Sequence, residues 1–227
     1  MMIIITNKIP IPTKGNDMVS HFIQPFPGIL VLGGYPSPYN SVEFWSTDNP
    51  GQDDCLLNSY PRQIHVEPSA NFVAGQLVTC MGDRCEIYNN GAWSFLVYTR
   101  YSRNYHSSAQ TEDRILLIGG SSSYDTEWIS LDGSASLNGP FTASRHTYSH
   151  CTIQLSPDLI VVTGGQSYST YVTEYHLTTG VERGLTRLNA GRHQHACGVY
   201  HNAGQQVLTS SCKCSEIMIL LAGMIHL

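Results

Sequence analysis

Charge is scarce in this chain. Its 227 residues carry only 12 Lys and Arg against 17 Asp and Glu, 13% in all, about half the share of an average soluble domain. No basic cluster breaks the net charge of −5, which argues against nucleic acid and anionic membrane surfaces as partners, because both are held mainly by Lys and Arg. Long apolar runs are missing too. The longest, Ile217 to Ile225, has nine residues, about half of a bilayer-spanning helix, so no membrane insertion is expected. The opening isoleucines Ile3 to Ile5 fall short of a secretory h-region, which makes a cytoplasmic location the default expectation and an extracellular one the expectation for a longer, disulfide-bearing parent. There is no N-x-S/T sequon, no G-x-x-x-x-G-K-S/T phosphate loop and no G-x-S-x-G nucleophile elbow. The seven cysteines contain no C-x-x-C pair, so a structural zinc site of the usual spacing is not expected. Cys55, Cys80 and Cys85 share one neighbourhood, where a disulfide in an oxidising compartment and small buried thiols in a reducing one both fit.

What is abundant is Gly, Ser, Thr and Tyr, a composition for strands and turns, and it is arranged as a repeat. GILVLGGY (Gly28 to Tyr35), GQLVTCMGD (Gly75 to Asp83), DRILLIGGS (Asp113 to Ser121) and DLIVVTGGQ (Asp158 to Gln166) each run an apolar strand into glycine. The pairs are Gly33-Gly34, Met81-Gly82, Gly119-Gly120 and Gly164-Gly165, with first members 48, 38 and 45 residues apart. After each comes a glutamate followed by apolar or aromatic residues: VEFW with Glu43, CEIY with Glu86, TEWI with Glu127 and TEYH with Glu174. An arginine introduces the strand before the glycines in SRNYHSS (Arg103), SRHTYSH (Arg145) and GRHQHAC (Arg192), and NNGAWSF adds an Asn-Gly turn before Trp93. Four strands recurring over roughly 45 residues is the unit of a propeller blade.

The combination of apolar strand with GG, V/T-E-aromatic, N-G-x-W and R-x-x-H resembles the kelch repeat. The resemblance implies an all-β, kelch-type β-propeller with about four complete four-stranded blades and part of a fifth. Residues 1–20 are then an N-terminal extension and 21–211 the propeller region. Its blades fall at about 21–66, 67–100, 101–143 and 144–190, with a partial one at 191–211 and a divergent tail at 212–227. The register is lost after Thr209, so an open or incomplete ring, the product of a truncated parent, is expected.

Glycine suits a strand end that needs positive φ or close backbone approach, so Gly33, Gly34, Gly82, Gly119, Gly120, Gly164 and Gly165 are read as structural. A phosphate cradle would require a helix after the glycines, but the residues in that place, SSSYDTEW or QSYSTYVTEY, have no helical spacing. Glu43, Glu86, Glu127, Glu174 and Trp93 are likewise read as repeat positions, because one carboxylate per blade cannot form a close acid/base pair. His193 and His195, two apart, would share one face of a strand, but no further ligands present themselves.

The resemblance therefore implies a non-catalytic scaffold without cofactor, binding protein segments through loops on one face. The candidate surface is Tyr35, Tyr39, Ser121, Ser122, Tyr124, Gln166 and Tyr168 from the loops after the glycines, together with Arg103, Arg145 and Arg192. The arginines either meet acidic partner residues or tie neighbouring loops together through backbone carbonyls. A secreted or cell-surface propeller binding glycan or protein is the alternative, and a metal-dependent, galactose-oxidase-like enzyme is a third reading that no ligand motif carries.

Overall fold

The computed structural model describes residues 68–89, 91–167 and 169–195, with Cys197, and elsewhere the backbone of the strands given below. Antiparallel sheets succeed one another along the chain, and no helix occurs among the described residues. The first sheet is β1 (Met2–Ile9), β2 (Phe26–Leu32), β3 (Val42–Ser46) and β4 (Cys55–Leu57). The second is β5 (Ser69–Val73), β6 (Gln76–Asn89) and β7 (Ala92–Arg103). The third runs β8 (Ser107–Gln110), β9 (Arg114–Ile118), β10 (Asp125–Ser130) and β11 (Leu137–Thr142). The fourth is β12 (His150–Ser156), β13 (Leu159–Gly164), β14 (Val172–His176) and β15 (Glu182–Gly184). The fifth is β16 (Ala196–Asn202), β17 (Gln205–Ser211) and β18 (Ile219–Leu221).

Two boundaries read from the sequence need correction. Residues 2–9, expected as an extension, form the first strand of the first sheet, in register from Met2 against Leu32 to Ile9 against Phe26. Part of the expected tail does the same at the other end, where Ile219–Leu221 pairs with β17. In both cases a short run of isoleucine and leucine offers a sheet the apolar, β-favouring residues it needs.

The consecutive apolar residues of β9 show why glycine-ended strands are apolar throughout. Ile115, Leu116, Leu117 and Ile118 are all fully buried, yet they do not share one core. Ile115 and Leu117 pack with Val78, Cys80, Cys85 and Val97 of the second sheet, whereas Leu116 and Ile118 pack with Ile160, Val162 and Tyr175 of the fourth. Alternation along a strand sends successive side chains to opposite faces, so a strand covered on both sides must be apolar at every position. The fourth sheet repeats the division, with Ile160 and Val162 facing back and Val161 facing Val172 and Leu188.

The first strands of successive sheets are neighbours, β1 with β5, β5 with β8, β8 with β12 and β12 with β16. Polar side chains join them. Asn71 and Ser108 hydrogen-bond reciprocally, Ser107 meets Thr152 at 2.5 Å, and Gln154 exchanges hydrogen bonds with the backbone of Gln110. Where Ser107 and Thr152 join the third and fourth sheets, a disulfide between Cys151 and Cys197 joins the fourth and fifth.

A second disulfide links Cys80 to Cys85, both inside β6. Their Cα atoms are 4.0 Å apart, whereas five residues of extended strand would span about 17 Å. The chain therefore reverses between them. Gly82, at φ +63°, sits in that reversal, and the second sheet has a tight turn where the third and fourth have a loop after the glycines. The third and fourth sheets thus have two unlike ends. At the glycine end lie the loops just past the glycines and those that cross to the next sheet; at the turn end lie the short links such as Thr111–Arg114, Pro157–Asp158 and Leu177–Gly180.

Candidate functional site

The glycine end is built by a set of repeated backbone bonds. Gly120 N donates to Thr147 O and Gly165 N to Arg192 O. Ser121 N donates to Asn104 O and Gln166 N to Tyr148 O, and Ser149 N donates to Tyr105 O as Gln194 N does to Ser149 O. These bonds fix which residues are equivalent. Tyr105, Ser149 and Gln194 share one place, and all three have left-handed backbone, with φ of 58°, 55° and 49°. One step earlier Asn104 matches Tyr148, and two steps earlier Arg103, Thr147 and Arg192 match.

That register corrects the arginine column. Arg145 lies two residues ahead of it, because SRHTYSH has two residues more between Arg and the last His than SRNYH or GRHQH. Arg103, expected on the candidate binding surface, is completely buried and cannot present its guanidinium to a partner. Its Nε donates to Glu127 Oε2 at 3.0 Å, and its Nη1 donates to the carbonyls of Gly119 at 2.6 Å and Asp125 at 2.8 Å. Of the two roles open to it, it has the one that ties loops together. In the fourth sheet His146 takes the corresponding part. Its Nδ1–H donates to Gly164 O, and its Nε2 accepts from the Thr173 hydroxyl, each at 2.8 Å. Burial pushes the His146 pKa down to about 4, helped by the Arg145 charge beside it, so the ring is neutral.

The glutamates are buried and paired, each by its own arrangement. Glu127 accepts from the Arg100 backbone N–H at 2.6 Å as well as from Arg103. Glu174 is held by Arg183 at 3.0 Å and Glu86 by Arg84 at 3.1 Å. Glu43 lies on β3 opposite Val31 and Leu56; its side chain lies outside the described residues. Trp93 packs edge-on to Tyr88, with ring centres 5.1 Å apart.

A histidine column accompanies the glycines. His106, His150 and His195 each stand directly before or at the start of a first strand and are buried. His106 Nε2 meets Ser69 Oγ at 2.7 Å, His150 Nε2 meets Ser107 Oγ at 2.7 Å, and His195 Nε2 meets Thr163 Oγ1 at 2.9 Å. A hydroxyl beside an imidazole is the geometry of an activated nucleophile, but here it recurs from sheet to sheet, and the Nδ1 atoms of all three rings are buried without a carboxylate to orient them. Burial takes the pKa of His106 to about 3, with the Arg103 charge adding to it, which makes the ring a poor base. These pairs are spacers between sheets. His193 and His195 do not sit on one strand face as the spacing implied: they flank Gln194 in a bend before β16, and its left-handed backbone breaks the alternation.

No family model matches this chain, and no curated protein does. Among solved structures, that of YjhT matches 80% of this chain and 68% of its own with a TM-score of 0.65 at 9% identity. That likeness is one of fold. What the glycine end can do therefore rests on its own side chains.

Ser121, Ser122, Tyr124 and Gln166 are exposed on the loops after the glycines, Tyr124 at 55%. Arg145 is half exposed and Arg192 partly so. Tyr35, Tyr39, Gly33, Gly34 and the loop residue Tyr168 lie outside the described residues. Two neighbours of these positions escaped the sequence reading. Tyr171 carries two guanidinium groups over its ring, Arg145 at 5.5 Å and Arg187 at 4.5 Å from the ring centre. Neither Tyr171 nor Arg187 belongs to a repeated motif, so nothing in the periodicity marks them.

Proposed function

We propose that the successive sheets are blades of a kelch-type β-propeller, complete or open as a ring, and that the protein is a non-catalytic scaffold that binds protein segments at the glycine end. The observation that carries this reading is the convergence of loops there. Residues 119–125, 143–149, 165–171 and 185–195 all leave the same end of their sheets. They expose serine, glutamine, tyrosine and arginine, side chains that make adaptable or anchoring contacts at modest ordering cost. The neighbouring first strands, linked in series by polar pairs and a disulfide, are what a radial arrangement of blades produces. The turn end offers shorter links. A fold alone assigns no activity, and the hydroxyl–imidazole pairs, being repeated and buried, favour packing over catalysis.

A second reading, a secreted or cell-surface propeller, is favoured by the two disulfides, since such bonds persist in oxidising compartments. Both readings place the binding face at the same loops. The test is a pair of loop replacements in a protein whose partner has been isolated by crosslinking. Replacing 121–124 by four glycines is expected to weaken that partner at least tenfold, whereas replacing Glu112 and Asp113 at the turn end by glycine leaves it unchanged. The opposite pattern overturns the reading.

A further inference from the structure

We infer that the glycine end of the fourth sheet is a carboxylate-binding site, formed by Arg145 and Arg187 around Tyr171, and that the segment it receives from a protein partner is acidic. The inference rests on the scaffold reading and narrows it to one kind of partner.

Three loops meet at this point. Arg145 comes from the link between β11 and β12, Tyr171 from the loop before β14, and Arg187 from the link between β15 and β16. The backbone that carries the ring is held on both sides, since Gly164 N donates to Tyr171 O and Leu188 N donates to Thr170 O beside it. Two like charges drawn to one ring repel each other, and only part of that repulsion is relieved within the chain. Among the described residues the one carboxylate in ion-pair range is Glu182, 3.9 Å from Arg145 and itself half exposed. The guanidinium forks thus keep donor capacity facing solvent, where a bidentate carboxylate fits. Tyr171, 36% exposed, gives such a segment an aromatic surface to lie on.

The distribution of charge along the sheets points the same way. The turn end carries Glu112, Asp113, Asp132 and Asp158, with Arg114 the arginine among them. The glycine end carries Arg145, Arg187 and Arg192, with Asp83 and Asp125 as exposed acids and Glu182 beside Arg145. Around Tyr171 the described arginines outnumber the carboxylates, which steers an acidic segment toward that point.

The experiment is selection from a displayed random dodecapeptide library on the full, disulfide-intact chain, and then titration of the selected synthetic peptide. The expected consensus carries at least two Asp or Glu residues. Its affinity should fall at least tenfold in R145Q/R187Q, fall several-fold in Y171L, and weaken with rising salt. All three side chains are solvent-accessible, and unchanged circular dichroism and melting midpoints verify that the variants fold. A consensus without carboxylates, or one whose affinity R145Q/R187Q leaves intact, overturns this inference while leaving the scaffold reading in place. A library that yields no binding peptide overturns both.

Discussion

At the scale of single residues, the repeat uses its recurring letters for different physical purposes. Gly119 has φ +60°, and a Cβ there would lie 2.5 Å from the carbonyl oxygen of Thr147; at Gly164, with φ +67°, it would lie 2.6 Å from that of Arg192. Both neighbours are backbone atoms held by their own hydrogen bonds. Gly119→Ala or Gly164→Ala should therefore cost about 2 kcal/mol or more, whereas Gly75→Ala, with positive φ but open space, should cost only about 1 kcal/mol, as read from urea midpoints. The buried pair of Arg103 and Glu127 supports a second expectation. Glu127→Leu alone strands a buried guanidinium and should cost about 3–5 kcal/mol, and adding Arg103→Met should recover much of it in a double-mutant cycle. Full additivity would mean that the two side chains are not coupled. The glycines were legible because a double glycine after an apolar strand has few other uses. Arg103 was not, because sequence alignment on Ser-Arg hides a two-residue insertion before His150, and burial of an arginine depends on partners that lie 16 to 24 residues away.

At the scale of elements, the strands were the most legible part, since each face of β9 and β13 must be apolar and each second strand must end at a bend. The sequence reading failed where one strand had no motif of its own. Residues 2–9 and 219–221 join sheets without the glycine or glutamate signature, and pairing across a chain separation leaves no local mark. The histidine column was half visible, His106 and His195 sharing a position while His150 was displaced by the same insertion. It has a consequence for pH. Burial lowers the pKa of His106 to about 3 and of His146 and His195 to about 4, so the folded rings are neutral. The unfolded chain takes up these protons near the ordinary value of 6.5, before the native state does. Stability is thus fully present above about pH 6.5 and falls from there to about pH 4 for His146 and His195 and to about pH 3 for His106, each histidine adding up to about 1.4 kcal/mol per pH unit to the slope. Urea midpoints measured across that range should drop steeply, and less so in His106→Gln. A flat profile down to pH 5 contradicts the burial of the column. Asp132 and Asp158, kept below the ordinary carboxylate value by Ser134 and Thr178, keep their contribution down to about pH 3.8 and lose it only below, outside this window.

At the scale of the whole molecule, the sheets depend on the joints between them. Chain-entropy arithmetic gives the disulfide across 46 residues, Cys151 to Cys197, a contribution of about 4 kcal/mol, against about 2 kcal/mol for Cys80 to Cys85 across five. The C151S/C197S variant should therefore melt at a lower temperature than C80S/C85S, with both below the oxidised protein, and it should lose protection first in β16 and β17. Cys80 and Cys85 stand together in the sequence, but nothing local marks the longer bridge, because the strands that carry its cysteines become neighbours only once the sheets are assembled. The same holds for the cluster around Tyr171, whose three members come from three links and meet only in the assembled structure. The most direct test of binding at the glycine end is hydrogen–deuterium exchange of the full chain with and without its bound partner or selected peptide. New protection is predicted in residues 119–125, 143–149, 165–171 and 185–195; protection confined to 111–114, 131–134, 157–158 and 177–181 at the turn end would contradict it.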